Sequence, residues 1–290
     1  MTAIKIEHLK KNYGKHVGTK DVTFSVNEGE IFGFVGPNGA GKTTTIKVLM
    51  GFVFPTGGSA SICGLDVERD TKKIKAFTGY VPSDVRIYAN MRVKELLKRN
   101  AAFYHGGGAS ETDRLCELFE VDAGKRFHEL SGGNKKKVSI TCALMSRPRV
   151  VILDEPTNGL DPVMQKKLFE ELKRQTANGA SVLLSSHNLT EVQEYCQRVA
   201  FIKDGTILGV TDLTKSAGPQ KILTVLGGKR DIPMGLELLK ESGEKRIFRS
   251  GLDSRTLLNA LAQMAPDDFT VENESMEERF WSLYGQEGNQ

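Results

Sequence analysis

The sequence lacks the features that mark a membrane-spanning or exported chain. A spanning helix needs about 20 mostly apolar residues, and the 290-residue sequence has no such run. Its longest uncharged stretch, 48–65, is interrupted by four glycines and one proline, which indicates a helix end, a turn and a strand. The opening segment MTAIKIEHLKK has no apolar core, so we expect no signal peptide.

Cysteine is scarce as well. The four cysteines, Cys63, Cys116, Cys142 and Cys196, show no metal-ligand spacing, so we expect no zinc site. They have no partner motif for redox or nucleophilic chemistry. Isolated cysteines without an export signal favour reduced thiols in the cytoplasm.

A strong charge of one sign is also absent. Lys and Arg number 40 against 36 Asp and Glu, and the net charge of +4 is too small to indicate nucleic-acid binding. The balance is uneven, because residues 1–212 carry 30 basic and 24 acidic side chains while residues 213–290 carry 10 and 12. A mildly basic first part suits a polyphosphate ligand or an anionic surface. The 39% hydrophobic fraction excludes disorder as the main state.

The sequence does contain an alternation of buried strands and helices. Three short apolar runs predict buried strands: Ile31–Val35, Val150–Leu153 and Ser181–Leu184. A helix is expected over Thr43–Met50, and another begins at Pro162, where Asp161 can act as its cap. Residues 92–147 have a mainly helical pattern, broken by a glycine loop at 106–108. The alternation predicts a mostly parallel sheet covered by helices.

The last part of the chain has a weaker pattern. Residues 215–218 predict a linker. Beyond it, Ile222–Leu226 and Arg246–Phe248 predict strands, and Leu257–Leu261 predicts a helix. The sequence has no internal repeat and no heptad run.

A glycine-rich turn connects the first of these buried strands to a helix. Its residues fit the phosphate-binding pattern G-x-x-x-x-G-K-[ST] at every specified position: Gly36, Pro37, Asn38, Gly39, Ala40, Gly41, Lys42 and Thr43, followed by Thr44. Glycines let backbone N–H groups converge on phosphate oxygens, and the helix adds its positive N-terminal end. Lys42 supplies a charge to the β- and γ-phosphates, and Thr43 offers a hydroxyl to Mg²⁺. A plain glycine-rich turn is the alternative, but the flanking strand and helix favour nucleotide binding.

The second buried strand ends in two carboxylates, Asp154 and Glu155. Asp154, at the strand end, can hold Mg²⁺ through water opposite the phosphate loop. Glu155 lies one residue further, so its side chain points elsewhere and suits a general base that polarises the attacking water. A solvated acidic turn is the alternative, and the phosphate loop earlier in the chain argues against it.

The segment Leu130–Asn134 (LSGGN) provides a third motif. Ser131 is a good N-cap, and Gly132 and Gly133 expose backbone N–H groups where a helix begins. With the two motifs above, in this order, residues 1 to about 212 resemble the nucleotide-binding subunits of ATP-binding cassette (ABC) transporters. The resemblance implies that Ser131, Gly132, Gly133 and Asn134 reach across a dimer interface to a second ATP. Asn134 departs mildly from the Gln that is usual there.

Three further positions match the family. Tyr13 stands where an aromatic ring stacks on adenine. Asp161 ends the D-loop, which contacts the second copy, and His187 matches the switch histidine that touches the γ-phosphate. A lone Tyr or His is more often structural, but at these positions the family order favours function.

Residue 83 departs from the family pattern. After Gly79–Pro82 the family has a Gln that contacts Mg²⁺ and water, whereas this sequence has Ser83 followed by Asp84. A serine hydroxyl is too short to span the same distance, so either a water fills the gap or Asp84 helps. In the family the same loop faces the membrane partner, so the change can also affect coupling.

Two short segments admit two interpretations. The run Lys135–Lys137 can be a nucleic-acid patch, but on the first turns of a helix we expect it to be a solvated face. The segment Ser275–Phe280 resembles the closing element of family members that serve the exporter-like, ABC-2 class of membrane subunits. An amphipathic packing helix is the alternative for that segment.

The resemblance implies an α/β fold with two parts. Residues 1–212 would form the P-loop NTPase fold of an ABC nucleotide-binding domain, with a helical subdomain at about 84–147. Residues 213–290 would form a small α+β accessory region.

The resemblance also implies an ATP hydrolase that binds ATP and Mg²⁺. Glu155 and His187 would be catalytic, and Thr43, Asp154 and Ser83 would contact the metal. The expected partners are a second nucleotide-binding subunit, identical or paralogous, and a separate transmembrane permease. That permease would hold the chain at the cytoplasmic face of the membrane, with export as the favoured direction.

Two other functions remain open. A soluble ABC-type ATPase could act on a macromolecule such as the ribosome or DNA, but such relatives usually carry two cassettes or a long coiled coil. This sequence has one phosphate loop and no heptads. A nucleotide-gated binding module with little hydrolysis is the second; Glu155 and His187 argue against it, while Ser83 leaves it open.

Overall fold

The computed structural model describes residues 1–85, 90–103, 109–214 and 221–273. The chain divides into two units, Met1–Leu213 and Thr214–Gln290. Three predicted features lie outside the described residues. They are the glycine loop at 106–108, the linker at 215–218 and the segment at 275–280.

One sheet of ten strands runs through the described part of the first unit. The strands are β1 (Thr2–Tyr13), β2 (His16–Asn27), β3 (Ile31–Val35), β4 (Gly57–Ile62), β5 (Leu65–Asp66), β6 (Thr78–Val81), β7 (Val150–Asp154), β8 (Ser181–Ser186), β9 (Arg198–Lys203) and β10 (Thr206–Asp212). Their order across the sheet is β5-β4-β1-β2-β10-β9-β3-β8-β7-β6.

The two halves of this sheet differ in direction. Strands β9, β3, β8, β7 and β6 are parallel neighbours, as predicted. Strands β1, β2, β4 and β5 pair antiparallel, and β10 pairs antiparallel with β9. The expectation of a mostly parallel sheet is therefore wrong for one half. The turn at Gly14, with φ of 61°, joins β1 directly to β2, and so short a connection permits only an antiparallel pair.

Seven helices occur in the described part of the first unit. They are α1 (Lys42–Leu49), α2 (Thr71–Phe77), α3 (Val93–Phe103), α4 (Ala109–Leu118), α5 (Gly132–Leu144), α6 (Pro162–Ala177) and α7 (Leu189–Tyr195). Helix α6 begins as predicted, because the Asp161 carboxylate accepts a hydrogen bond from the Met164 N–H at 3.0 Å. Within the described ranges, no helix combines the length and the apolar character needed to cross a bilayer.

The core of the first unit fixes the edge at which the candidate residues lie. Strands β3, β7 and β8 are buried along their whole length, as expected for parallel strands covered on both faces. The Phe24 and Phe32 rings stack with centroids 5.2 Å apart, and Ile46 and Leu49 of α1 pack into the same cluster. Because the three strands are parallel, their carboxyl ends meet at one edge, which is where ligands bind in such sheets.

The second unit is a small α+β structure. Its strands are β11 (Lys221–Leu226), β12 (Leu236–Ser242), β13 (Lys245–Ser250) and β14 (Asp268–Asn273), in the order β12-β13-β11-β14 with all pairs antiparallel. Helix α8 (Ser254–Met264) packs Leu257 and Leu261 against Leu223 and Phe248. The positions of β11, β13 and α8 match the prediction, whereas β12 and β14 were not predicted.

Candidate functional site

The glycine-rich loop between β3 and α1 has a conformation that other residues could not easily adopt. A Cβ at Gly36 would collide with the carbonyl oxygen of Ile202. Gly41 caps α1 with φ of 107°, in the region that favours glycine. Since the first N–H groups of a helix have no acceptor within it, this end of α1 is suited to bind an anion.

A pocket of about 370 Å³ opens at this loop. It is lined by His16, Val17, Gly18, Pro37, Asn38, Gly39, Gly41, Lys42, Thr43, Thr44, Ser83, Glu155 and Asn158. The structure thus brings most of the predicted phosphate-loop residues together with the carboxylate from the end of β7. Both Gly36 and Ala40 belong to the same loop, where the Gly36 carbonyl accepts from Lys42 Nζ at 2.6 Å.

The ammonium group of Lys42 lies between the loop and the β7 carboxylate. Lys42 Nζ is 3.1 Å from Glu155 Oε1, and both side chains are more than 90% buried. A buried charge is stable only with partners. Here the Lys42 ammonium and the Glu155 carboxylate form an ion pair, so each is the partner of the other. The pocket lining therefore contains a positively charged group next to a carboxylate.

The hydroxyl of Thr43 and the carboxylate of Asp154 form the second contact between loop and strand. Thr43 Oγ1 donates to Asp154 Oδ2 at 2.8 Å, and Ser185 Oγ donates to Asp154 Oδ1 at 2.7 Å. Hydroxyl and carboxylate oxygens suit Mg²⁺, which takes one or two carboxylates and completes its shell with phosphates and water. In keeping with that, the described ranges contain no cluster of three acidic, His or Cys side chains able to hold a metal alone.

Glu155 and His187 form the third contact, between the ends of β7 and β8. His187 Nδ1 is 2.7 Å from Glu155 Oε2. This distance is that of a hydrogen bond between the imidazole and the carboxylate. The Glu155 backbone is strained, with φ of 48°, a conformation that costs an L-residue roughly 1–2 kcal/mol. Such strain persists only where the surroundings hold the residue in place.

Ser185 is a residue that the sequence reasoning missed. Its hydroxyl donates to Asp154 and accepts from the Glu155 N–H at 3.0 Å, so one side chain orients both acidic residues. The sequence did contain a signal for Ser185, because a polar residue at the carboxyl end of a buried parallel strand lies at the edge where ligands bind. The predicted strand ended at Leu184, one residue too early to include it.

Lys136 is the second missed residue, and the expectation of a solvated face at Lys135–Lys137 is wrong for it. Lys136 is only 3% exposed, and its ammonium donates to the carbonyl oxygens of Pro82, Ser83 and Glu155. Burial lowers the pKa of Lys136, opposed by the negative charges of Asp154, Glu155 and Asp84. The side chain points inward because three carbonyl groups converge there, which a run of charges in the sequence does not reveal.

The predicted signature lies elsewhere on the chain. Ser131 caps α5 by accepting from the Asn134 N–H at 3.3 Å. A Cβ at Gly133 would collide with the Gly159 carbonyl, whereas one at Gly132 would meet open space. Ser131 and Gly132 are exposed. Among the described residues that line the 370 Å³ pocket, none belongs to the signature.

The remaining predicted residues have mixed positions. Asp161 caps α6 and lies outside the pocket lining. Tyr13 is 42% exposed and lies beside Gly18, which lines the pocket, with Lys11 Nζ 5.0 Å from the ring centroid. Ser83 lines the pocket, and its carbonyl accepts from Lys136 Nζ at 2.9 Å.

Comparison with known proteins agrees with this geometry. The family described as ABC transporter matches residues 19–158. The linearmycin resistance ATP-binding protein LnrL of Bacillus subtilis (strain 168) is 34% identical, over 77% of this chain and 75% of that protein. The Nod factor export ATP-binding protein I of Paraburkholderia xenovorans (strain LB400) is 35% identical, over 70% and 68%. A dimeric structure of a bacterial ABC transporter cassette, 23% identical, gives a TM-score of 0.67 over 73% of this chain and 99% of that one.

The chain belongs to the ABC transporter family. It is an ATP-binding, ATP-hydrolysing subunit with the P-loop fold of ABC cassettes, so the predicted family, fold class and ATPase activity are confirmed.

Proposed function

We propose that two copies of this chain bind ATP between them and drive a separate membrane-spanning subunit, in the direction of export. The observation that carries the proposal is that Lys42, Thr43 and Glu155 line one pocket. Next to that lining, Asp154 accepts from Thr43 and His187 contacts Glu155. The direction rests on the relative named for Nod factor export. The chain would then lie at the cytoplasmic face of the membrane, held there by its partner.

The proposed chemistry is hydrolysis of the γ-phosphate of ATP. The phosphates bind the loop N–H groups and Lys42, and the adenine lies near Tyr13. Glu155 takes a proton from a water molecule while the water oxygen forms a bond to the γ-phosphorus. The bond between the γ-phosphorus and the β-phosphate oxygen breaks, and ADP leaves. His187 orients the Glu155 carboxylate through the 2.7 Å contact. Mg²⁺, held by Thr43 and Asp154, would neutralise charge on the phosphates when bound; Ser83 lines the same pocket.

The proposed dimer follows from where the signature lies. Ser131 and Gly132 are exposed at the N-terminal end of α5, away from the pocket of their own chain. A helix N-terminus with glycine N–H groups is suited to bind phosphate. Two copies arranged head to tail would let each signature, Ser131 to Asn134, contact the ATP bound by the other, with Asp161 near the same interface.

The proposed contact with the membrane subunit is a groove of about 280 Å³ next to the pocket. Its lining includes Phe52, Tyr80, Pro82 and Phe103, and the exposed fractions of Phe52 and Phe103 are 51% and 68%. Exposed aromatic groups beside a polar rim are typical of a protein interface. Pro82 lines the groove and Ser83 lines the pocket, so one short segment borders both.

Affinity purification from solubilised membranes tests this partnership. We expect the tagged full chain to retain a protein with several membrane spans, and Phe52→Glu to lose it because a charge enters the apolar groove. Phe54→Glu is the matched control, since Phe54 is 63% exposed and does not line the groove. Recovery of ribosomes in place of a membrane protein would favour the soluble ATPase instead.

A further inference from the structure

The ammonium group of Lys136 bonds to two separate segments of the chain. All three hydrogens of its ammonium group are engaged, by the carbonyls of Pro82 and Ser83 at 2.9 Å each and of Glu155 at 3.3 Å. An apolar side chain of the same length would avoid the cost of burying a charge but would leave the three carbonyl groups without this donor. The use of a lysine here is explained by what its ammonium holds together.

The Lys136 ammonium contacts, first, the backbone of Glu155. The N–H of Glu155 donates to Ser185 Oγ at 3.0 Å, and its carbonyl accepts from Lys136. The peptide groups on both sides of the strained Glu155 Cα, with φ of 48°, are therefore tied to neighbouring elements. The direction of the Glu155 carboxylate, toward Lys42 and His187, depends on that backbone conformation.

The second thing it holds is the segment that separates the groove from the pocket. Pro82 and Phe52 both line the groove, and Ser83 and Lys42 both line the pocket. Lys136 lies on α5, the helix that begins at the signature. One ammonium group thus connects the signature helix, the segment bordering the groove and the proposed general base.

We propose that Lys136 is a positioning residue for ATP hydrolysis, which ties the Pro82–Ser83 segment to the Glu155 backbone and so sets the direction of the Glu155 carboxylate. This inference rests on the proposed role of Glu155. It predicts an effect on the chemical step and little effect on the binding of ATP, because the phosphate loop and Lys42 are not among the partners of the Lys136 ammonium.

Substitution of Lys136 separates these two effects. For Lys136→Met we expect kcat to fall by roughly 10- to 10²-fold, the loss that a small misplacement of a reacting group produces. The KM for ATP should stay within about twofold. Lys136→Arg keeps the charge and the donors and should restore most of kcat. Lys135→Met is the matched control, because it removes the same charge one residue earlier on the same helix. The Lys135 Nζ lies 5.9 Å from the Phe127 ring centroid.

Circular dichroism and thermal unfolding of the same samples show whether each variant is folded, and calorimetric titration measures its ATP affinity. If Lys136→Met does not fold, Lys136→Gln replaces it in the comparison with Lys136→Arg, with a lower kcat expected for Gln. An unchanged kcat in Met or Gln, or a loss that appears in ATP affinity instead, would overturn the proposal.

A double-mutant cycle with Glu155→Gln tests whether Lys136 acts through Glu155. In single-turnover hydrolysis, Lys136→Met should cause no further loss once Glu155 is replaced. Additive losses would contradict the positioning role. If Glu155→Gln hydrolyses ATP normally, the proposed function itself fails; if it does not and Lys136→Met does, only the inference about Lys136 fails.

Discussion

In the part of the chain that the structure describes, the N-termini of α1 and α5 both carry glycines, and they differ in what surrounds them. At α1 the loop opens on a pocket lined by Lys42, Thr43 and Glu155, in which Lys42 pairs with Glu155 and Thr43 donates to Asp154. At α5 the signature residues Ser131 and Gly132 are exposed, and a Cβ at Gly132 would meet open space.

This difference matches the separate roles that we propose for the two sites in ATP binding and hydrolysis. The α1 site holds the charges needed for phosphate and metal chemistry within one chain. At α5 the signature residues are exposed, as the proposed contact with a second nucleotide-binding subunit requires. The following predictions test each side of that comparison.

The largest expected effect is at the α1 site, for Glu155→Gln. Its kcat should fall by roughly 10² to 10⁴-fold, because an amide cannot take the proton from water. ATP affinity should stay close to that of the wild type, since Lys42 and the loop are retained. Steady-state phosphate release and calorimetric titration measure the two quantities. Glu170→Gln, an exposed position on α6, is the control; equal kcat in both variants would contradict the account.

The second largest effect is expected for Lys42→Ala, also at the α1 site. ATP affinity should fall by roughly 10- to 10²-fold, the equivalent of one or two hydrogen bonds to a charged group. Lys47→Ala, at an exposed position on the same helix, should bind ATP as the wild type does. Equal affinity of the two variants by calorimetry would remove Lys42 from the phosphate site.

The attachment of the helical region to the core should depend on acid pH. Glu111 of α4 is only 3% exposed, and burial alone would raise its pKa, but Arg114, Arg147 and Arg174 outweigh burial and lower the pKa from 4.5 to about 2. A carboxyl with a lowered pKa stabilises the fold above pH 4.5 and loses this contribution as the pH falls toward 2.

Urea unfolding of wild type and Glu111→Gln at a series of pH values measures this contribution. We expect wild type to be more stable by on the order of 2 kcal/mol at pH 7, with the difference shrinking below pH 4.5. Because α4 packs beside α5, the result bears on how firmly the signature helix is held. A difference that does not change with pH would show that the ion pairs are not its cause.

The smallest effect is expected at the α5 site, for Gly132→Asp. Unfolding free energy and ATP affinity should not change, because the new side chain enters open space. Hydrolysis should fall by about tenfold, since a carboxylate at the signature repels the phosphates of ATP bound by the other copy. Gly251→Asp, also at an open position, is the control. An unchanged kcat for Gly132→Asp would mean that the signature does not reach a nucleotide.

The sequence predicted those parts of the molecule whose signals are local. The loop at Gly36–Thr43 lies between a strand and a helix as its pattern required, and Asp161 with Pro162 marked where α6 begins. The apolar runs marked β3, β7 and β8, because these strands are buried on both faces and are apolar throughout.

The parts that were missed depend on partners far away in the sequence. Strand β14 has no buried residue and β12 has only Leu236, so hydrogen bonding to β11 and β13 holds them in place of an apolar pattern. The burial of Lys136 arises from carbonyls 53, 54 and 19 positions away. No local charge pattern carries that information.

The most direct test of the division between the two sites is the oligomeric state of Glu155→Gln. Sedimentation velocity of this variant should show a monomer without nucleotide and a dimer with ATP, because ATP binds but is not hydrolysed. Gly132→Asp introduced into the same variant should weaken the dimer. A Glu155→Gln chain that binds ATP and stays monomeric at every concentration would contradict the claim that each ATP is shared between the pocket of one copy and the signature of another.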